Sequence, residues 1–311
     1  MMRFPRDLLE TLAVVMEAGT FDAAAQRLNV TPSAVSQRVK VLEQQLGRVL
    51  VVRSKPVRPT ESGEALVRLA RQLSLLEHDA ATALRLEGDA PDDDRVAFTS
   101  IPIAVNADSL ATWILPALAR VATERDIVVD LHREDQERTA GLLVAGTVMA
   151  AVTSRSHPIP GCTVTALGAM SYRPVATPAF SARWFAGGVD AAALAVAPVV
   201  DFDRTDELQS RYLRAASVRP LSPPRHFVPA STEFAQAILL GMGWGMLPGA
   251  QADAAVASGA LLDLDPSGAV EVPLYWQQWN LRSPALDAVA EAVTAEARSA
   301  LSAMTYTGRG S

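Results

Sequence analysis

Residues 20 to 46, TFDAAAQRLNVTPSAVSQRVKVLEQQL, decide how the front of this chain is built. The first part, from about Asp22 to Leu28, holds Ala23, Ala24 and Ala25, whose small side chains let a second helix cross close by. Asn29 and Val30 make a turn. Thr31 before Pro32 is then a helix start with a physical cause: the hydroxyl accepts an otherwise unpaired backbone N–H, and proline in the first position forfeits no hydrogen bond. Along the helix that follows, Val35, Val39, Leu42 and Leu46 recur every three or four residues and form one apolar stripe for a core. Ser33, Ser36, Gln37 and Lys40 are left facing outward. Short hydroxyls, an amide and a cation are the groups that reach base edges and phosphates from a helix in the major groove. Thr31 and Pro32, at the tip of this helix, are counted with them, and Arg38 lies at the stripe's edge, open to either role.

Past Gly47, a stop for the helix, come the β-branched run from Val49 to Val52 and the basic segment Arg53-Ser54-Lys55-Pro56-Val57-Arg58-Pro59. A strand-turn-strand wing fits this composition, its prolines keeping the edge from pairing. Arg53 and Lys55 would sit over phosphate. Charge agrees: residues 1 to 60 carry nine Lys/Arg against five Asp/Glu, or +4, and since the whole chain is −6 the remainder carries −10. Such asymmetry points to a polyanion-binding front joined to something that does not touch polyanions.

At 311 residues, 49% hydrophobic and 20% charged, the chain has material for two or three domains with proper cores. It lacks a basic-then-apolar leader and any apolar run long enough to span a bilayer, so a cytoplasmic protein without a membrane partner is expected. Cys162 is the only cysteine. It excludes an internal disulfide and reads as a small hydrophobe. Four scattered histidines (His78, His132, His157 and His226) show no metal-ligand spacing, and neither a phosphate-cradling GxxxxGK[ST] nor a GxSxG turn occurs. No enzyme, no metal and no cofactor are expected.

Between Thr60 and Glu87 proline is absent, and Leu66, Leu69, Leu73, Leu76, Ala80 and Ala83 alternate steps of three and four, the seam of a two-helix coiled coil. A stripe of this kind packs on its own domain or on a partner helix. The helix ends in Gly88-Asp89-Ala90-Pro91-Asp92-Asp93-Asp94, an acidic hinge. Beyond it, β-like runs alternate with helical ones: Phe98 to Val105, a helix from about Asp108 to Thr123, Ile127 to Leu131, a helix from about Glu137 to Ala145, and Val148 to Thr153. A second series spans roughly Val175 to Leu264, the chain returns in Val270 to Trp279, and a last helix runs from Pro284 to about Met304. Alternation of this kind predicts an α/β fold on a parallel sheet with crossover helices.

On three stretches, TPSAVSQRVKVLE at 31 to 43, NADSLATW at 106 to 113 and GWGMLP at 243 to 248, the chain resembles a LysR-type transcriptional regulator over its full length. Within that family it is most similar to the ArgP/LysG (IciA) branch. The resemblance implies a winged helix-turn-helix at 1–60, a linker helix for dimerisation at 61–87, a hinge at 88–95, and two subdomains like those of a periplasmic binding protein, the first at 96–168 with 270–304 and the second at 169–269. Ser33, Ala34 and Ser36 match positions that usually face DNA in such proteins, and Arg53 matches a usual wing contact. Pro32 and Gln37 depart from the family's common Gln and Arg, so base contacts do not carry over there. The family also implies an interrupted palindrome with T and A at its ends, contact with RNA polymerase, and a homodimer or homotetramer.

For the branch, the resemblance implies a basic amino acid as effector, lysine or arginine with histidine as a third candidate, and control of a gene for an exporter of such amino acids. A cleft between two α/β subdomains binds ligands beyond the carboxyl ends of strands, and the strand ends suit such a ligand. Asn106, Asp108 and Ser109 open the helix after the first strand, where Asp108 is a cap, a ligand contact, or both. Glu134 and Asp135 end the second strand with charge for a dibasic ligand. Thr153 ends the third. From the second subdomain come Asp201 and Asp203, Ser231 and Thr232 at a helix start, and Trp244, which either closes over an aliphatic stem or guanidinium or simply packs. The expected function is sequence-specific, effector-responsive transcription regulation. The alternative is an architectural protein on A+T-rich DNA without effector control, and a weaker third is a DNA module fused to an amino-acid-converting enzyme.

Overall fold

The computed structural model describes residues 4–85, 98–134 and 136–303. Helix α1 (Arg6–Ala18) stops at Gly19, whose φ of 70° is left-handed. Helix α2 (Phe21–Arg27) begins where the Thr20 hydroxyl accepts from the Ala23 amide, one residue earlier than the alanine pattern suggested. Helix α3 (Pro32–Leu46) begins in the same manner, with Thr31 accepting from Ala34 and Pro32 in the first turn. Asn29, at φ 52°, makes the sharp corner between them, a conformation Asn tolerates better than most residues. Ala24 and Ala25 sit in the crossing, in one core with Leu12, Val15, Val35, Val39 and Leu42. The wing is small: β1 (Val51–Val52) pairs antiparallel with β2 (Arg58–Pro59). Its tether is the backbone, Val57 N donating to Gly19 O at 2.8 Å and Thr60 N to Leu50 O at 2.9 Å.

Helix α4 (Glu61–Arg85) spans about 37 Å at 1.5 Å per residue and divides the expected seam. Leu66, with Val67 and Ala70, belongs to the core of the front module, and Leu69 packs against it. The chain passes straight from the wing into α4, so the first turns of the helix have that module for a neighbour. Leu75, which the seam did not include, enters the core of the C-terminal half. Leu73, Leu76, Ala80 and Ala83 stay exposed. The acidic hinge at 88–95 lies outside the described residues.

The C-terminal half starts with β3 (Thr99–Val105), α5 (Ala107–Thr112), α6 (Ile114–Glu124), β4 (Ile127–Arg133), α7 (Gln136–Ala145) and β5 (Ala150–Thr153). The single helix expected from Asp108 to Thr123 is two. Pro116 inside a continuous helix would remove the bond to the Thr112 carbonyl and clash with it. A restart at Ile114 places the proline in a first turn, and the buried Trp113 takes the break at φ −135°. Next come β6 (Cys162–Ala176), α8 (Pro178–Trp184), α9 (Ala191–Leu194), β7 (Val199–Asp201), α10 (Leu208–Ala216), β8 (Arg225–Phe227), α11 (Ser231–Leu239), β9 (Gly245–Pro248), α12 (Gly249–Ala257), β10 (Leu262–Asp263), β11 (Val270–Trp279) and α13 (Pro284–Ala300). The last helix is shorter than expected: it ends at Ala300, and Met304 lies outside the described residues.

The strands correct the all-parallel expectation. β3 pairs parallel with β4 and with β5, and β7 pairs parallel with β8. β6 and β11, by contrast, are long antiparallel partners in a seven-stranded sheet of order β10-β6-β11-β5-β3-β4, with β9 also on β6. Residues 162–166 of β6 lie opposite 275–279 of β11 beside β5, whereas residues 172–176 carry β9 and β10. Both long strands therefore run through the two halves, and the subdomain limit expected at 168/169 falls inside one of them. The ladder breaks between Leu274 and Tyr275, opposite Gly168 at φ 142°. A Cβ at Gly168 would meet Leu301 at 2.8 Å, and the residues just after α13 lie over this break, with Ser302 bridging Ala169. The larger core gathers Ile101, Ile103, Trp276, Trp279, Leu286 and Val293. A smaller one holds Val175, Val200, Phe234, Ile238 and Leu247. No described helix is long and apolar enough to cross a membrane.

Candidate functional site

Two regions collect the candidate residues. On the first, α3 turns Val35, Val39 and Leu42 into the core and leaves Thr31, Pro32, Ser33, Gln37 and Lys40 exposed, with Ser36 half-buried. The Thr31 and Ser33 hydroxyls lie 2.9 Å apart at the tip of the helix. Arg53 comes off the wing onto the same face: its guanidinium donates to the Ser36 hydroxyl at 3.4 Å and stacks 5.3 Å from the Phe21 ring centroid. Lys55 is exposed in the wing loop. Arg38 turns the other way and donates to the Thr11 hydroxyl at 3.3 Å, which commits it to bracing α1 against α3. An exposed helix edge with one flanking guanidinium is the geometry of groove readout with a phosphate anchor.

The second region lies where the two halves of the C-terminal part face each other. Asn106 is the cap of α5, accepting from the Ser109 amide at 3.3 Å. Asp108 is thereby released from capping its own helix and reaches across. Its carboxylate accepts from the Tyr172 phenol at 2.7 Å and from the Ser231 hydroxyl, at the start of α11, also at 2.7 Å. Gln251 in turn donates to Ser231 at 3.1 Å. Burial together with the Asp108 charge holds the Tyr172 phenol far above the ordinary tyrosine range, so it stays a donor.

Asp201, at the end of β7, is 1% exposed and takes the Arg225 guanidinium at 2.5 Å. Burial pushes its carboxyl up, against the pull of that guanidinium. Asp206 is pushed up as well: burial raises it, the Leu208 and Phe202 amides pull it down, and the charges of Asp201 and Asp108 add to the rise. Three carboxylates thus feel one another here, and Arg225 touches one of them, Asp201. Around them sit buried polar atoms without a hydrogen-bond partner among the described residues: Asp201 Oδ1, Gln209 Oε1, Gln251 Oε1 and Ser109 Oγ. Each orphaned acceptor costs about 1–3 kcal/mol, and a group rich in N–H donors removes that cost.

The remaining candidates are less central. Glu134 is half-buried at the end of β4, its amide donating to Val105 O at 3.3 Å, and Asp135 lies outside the described residues. Thr153 is buried and accepts from the Arg155 amide at 3.2 Å. Asp203 accepts from Thr205 and from the Asp206 amide, building the turn that aims Asp206. Thr232 is exposed on the outside of α11. Trp244 is fully buried, edge-on to Tyr212 with centroids 5.5 Å apart. Its ring packs in this geometry, and its indole Nε1 is buried with no hydrogen-bond partner among the described residues. Reading the strand ends missed Asp206, Tyr172, Gln209, Gln251 and Arg225. The run Asp201-Phe202-Asp203-Arg204-Thr205-Asp206 displayed three acids but not which of them the turn would present. A separate cavity of about 650 Å³ lies between α1, α4 and the β3–β4 edge. It is distinct from this acidic cluster.

Comparison with known proteins adds the following. Residues 6–64 match the model of the bacterial regulatory helix-turn-helix protein, lysR family, and residues 99–298 match the LysR substrate binding domain. The chain is similar to the lysine export transcriptional regulatory protein LysG of Corynebacterium efficiens, 40% identical over 94% of this chain and 98% of that one. Among solved structures, ArgP from Mycobacterium tuberculosis superposes with a TM-score of 0.85 at 43% identity, covering 98% of this chain and 100% of that one. Full-length LysG from Corynebacterium glutamicum, with bound effector Arg, does so with a TM-score of 0.75 at 37% identity, covering 96% and 100%.

Proposed function

The chain belongs to the LysR family of bacterial helix-turn-helix transcriptional regulators, and from that premise we propose that its effector is a basic amino acid, lysine or arginine before histidine, and that it controls a gene for an exporter of such amino acids. One observation carries the effector reading. Asp108, Asp201 and Asp206 converge with the unpartnered acceptors of Asp201, Gln209 and Gln251, and an ammonium or guanidinium supplies both the countercharge and the donors that such a set lacks. The arginine bound in the Corynebacterium glutamicum structure supports the same chemistry. The exporter target rests on the name of the Corynebacterium efficiens relative.

DNA is read by Ser33, Ser36, Gln37 and Lys40 from the groove, with Arg53 and Lys55 on phosphate and Thr31 and Pro32 at the tip. The protein works as a homodimer or homotetramer and passes its signal to RNA polymerase. Effector acts by linkage, since it shifts the arrangement of the reading heads only if it binds one arrangement better.

The test is calorimetric titration of the full-length protein with lysine, arginine and histidine, beside melting curves and an operator footprint. Saturation at 100 times the binding constant raises stability by about 2.7 kcal/mol, and the footprint changes with it. No heat, no shift in Tm and an unchanged footprint would overturn the effector reading and leave an architectural protein on A+T-rich DNA. A reporter fused to the promoter of a basic amino acid exporter gene that ignores both lysine and loss of this chain would remove the exporter.

A further inference from the structure

The linker helix and the C-terminal half are joined by more than chain continuity. Arg68 and Arg71, one turn apart on α4, donate to the carbonyl oxygens of Val144 and Gly146. Val144 lies in the last turn of α7 and Gly146 one residue past its end, where no N–H further along the helix reaches the carbonyl oxygens. Arg71 is only 9% exposed; burial disfavours its charge, and Glu17 of α1, 3.8 Å away, and Asp130 offset part of that cost. The approach is close at the level of the backbone. Gly146 has φ +72°, and a Cβ there would lie 2.8 Å from Arg68 Cα. On either side of this contact α4 is committed to both cores, with Val67 and Ala70 in the front one and Leu75 in the C-terminal one.

At its other end α7 begins two residues after Glu134, whose amide donates to Val105 O next to Asn106, the cap of the helix that carries Asp108, and this junction is taken as the mouth of the proposed cleft. The helix is ten residues long, so about 15 Å separate the cleft mouth from the linker. Thr139 and Leu143, both fully buried, seat it on the sheet, and packed elements move as units between discrete arrangements.

We propose that α7 is the rod through which occupancy of the cleft reaches the DNA-reading face: its first turn moves with the cleft mouth, and the carbonyls at its C-terminal end move the linker helix through Arg68 and Arg71. The proposal rests on the effector reading above. Effector and operator then bias one shared arrangement, and each changes the other's affinity by the same factor.

Two variants test it in the full-length protein, with lysine as the probe. Gly146→Ala drives a methyl group into the backbone of Arg68 and parts the two helices. Arg71→Met keeps the stem, removes the donor, and decides the matter should Gly146→Ala lower folding. Operator affinity is measured with and without lysine, and lysine affinity by calorimetry with and without operator. The wild-type ratio, on the order of 5- to 150-fold for coupled sites, should fall toward unity from both directions, while lysine still binds and the operator is still held. A ratio equal to that of wild type in a folded variant overturns the proposal. The two failures are distinct: absence of lysine heat in the wild-type protein defeats the effector reading, whereas normal heat with undiminished coupling in the variants defeats the rod alone.

Discussion

Asp206 illustrates what a single residue contributes to a site and why reading the chain alone passes it over. Strand ends are visible as changes in pattern, which is how Asp108, Asp201 and Ser231 were singled out, and the fold brings these three into one cluster. Which acid of a short loop faces inward depends on its turn. Here Asp203 accepts from the amides of Thr205 and Asp206 and so shapes the turn that carries Asp206. Asp206 is raised by burial and by two neighbouring charges, and a cationic ligand favours its ionised form, lowering its pKa in the complex. Affinity for lysine should therefore be full above the raised pKa of the free protein and decline as pH falls through it, up to about tenfold per pH unit for one proton. Asp206→Asn should flatten that profile and, by losing a charge-assisted bond of about 1.5–3 kcal/mol, weaken binding roughly ten- to hundredfold. Equal profiles for both proteins would remove Asp206 from the site. On the DNA face, Arg53 is held by Phe21 and Ser36, so it arrives oriented. Arg53→Ala should make the slope of log affinity against log salt shallower by about one unit, and an unaltered slope would count against a phosphate contact.

Elements were legible where period and punctuation agreed. Thr31-Pro32 before a stripe of valines and leucines specified α3, and the run from Val270 to Trp279 specified β11 to the residue. Where one signal was outweighed the reading slipped. Pro116 ought to have divided the helix after Asp108, but the apolar period on both sides concealed the break. The α4 stripe was read as one seam because period alone does not say which neighbour each turn meets. Its first turns belong to the front core, and the exposed remainder, Leu73 at 37% and Leu76 at 39%, is what a second copy would cover. Replacing both with Glu should change the stability of the single chain by no more than about 0.5 kcal/mol per site, yet shift sedimentation to the monomer and weaken binding to a two-half-site operator. An unchanged mass would show that the partner copy sits elsewhere.

At the scale of the molecule, the two-part organisation was visible in charge and pattern, and the topology of the second part was not. Alternating strands and helices suggested consecutive parallel pairing, but β6 and β11 pair antiparallel across almost the whole C-terminal half. Nothing local in either strand announces a partner about a hundred positions away. The same pairing has a consequence during synthesis. The core of the reading head draws on no residue beyond Ala70, so it can form as soon as that short stretch clears the ribosome. The sensing half cannot close its sheet until Trp279 has been made, because β11 lies between β5 and β6. At roughly 5–20 residues per second that interval is about 10–40 s, during which a nascent chain can grip the chromosome while still deaf to the metabolite. Any prematurely terminated product would stay in that state for good.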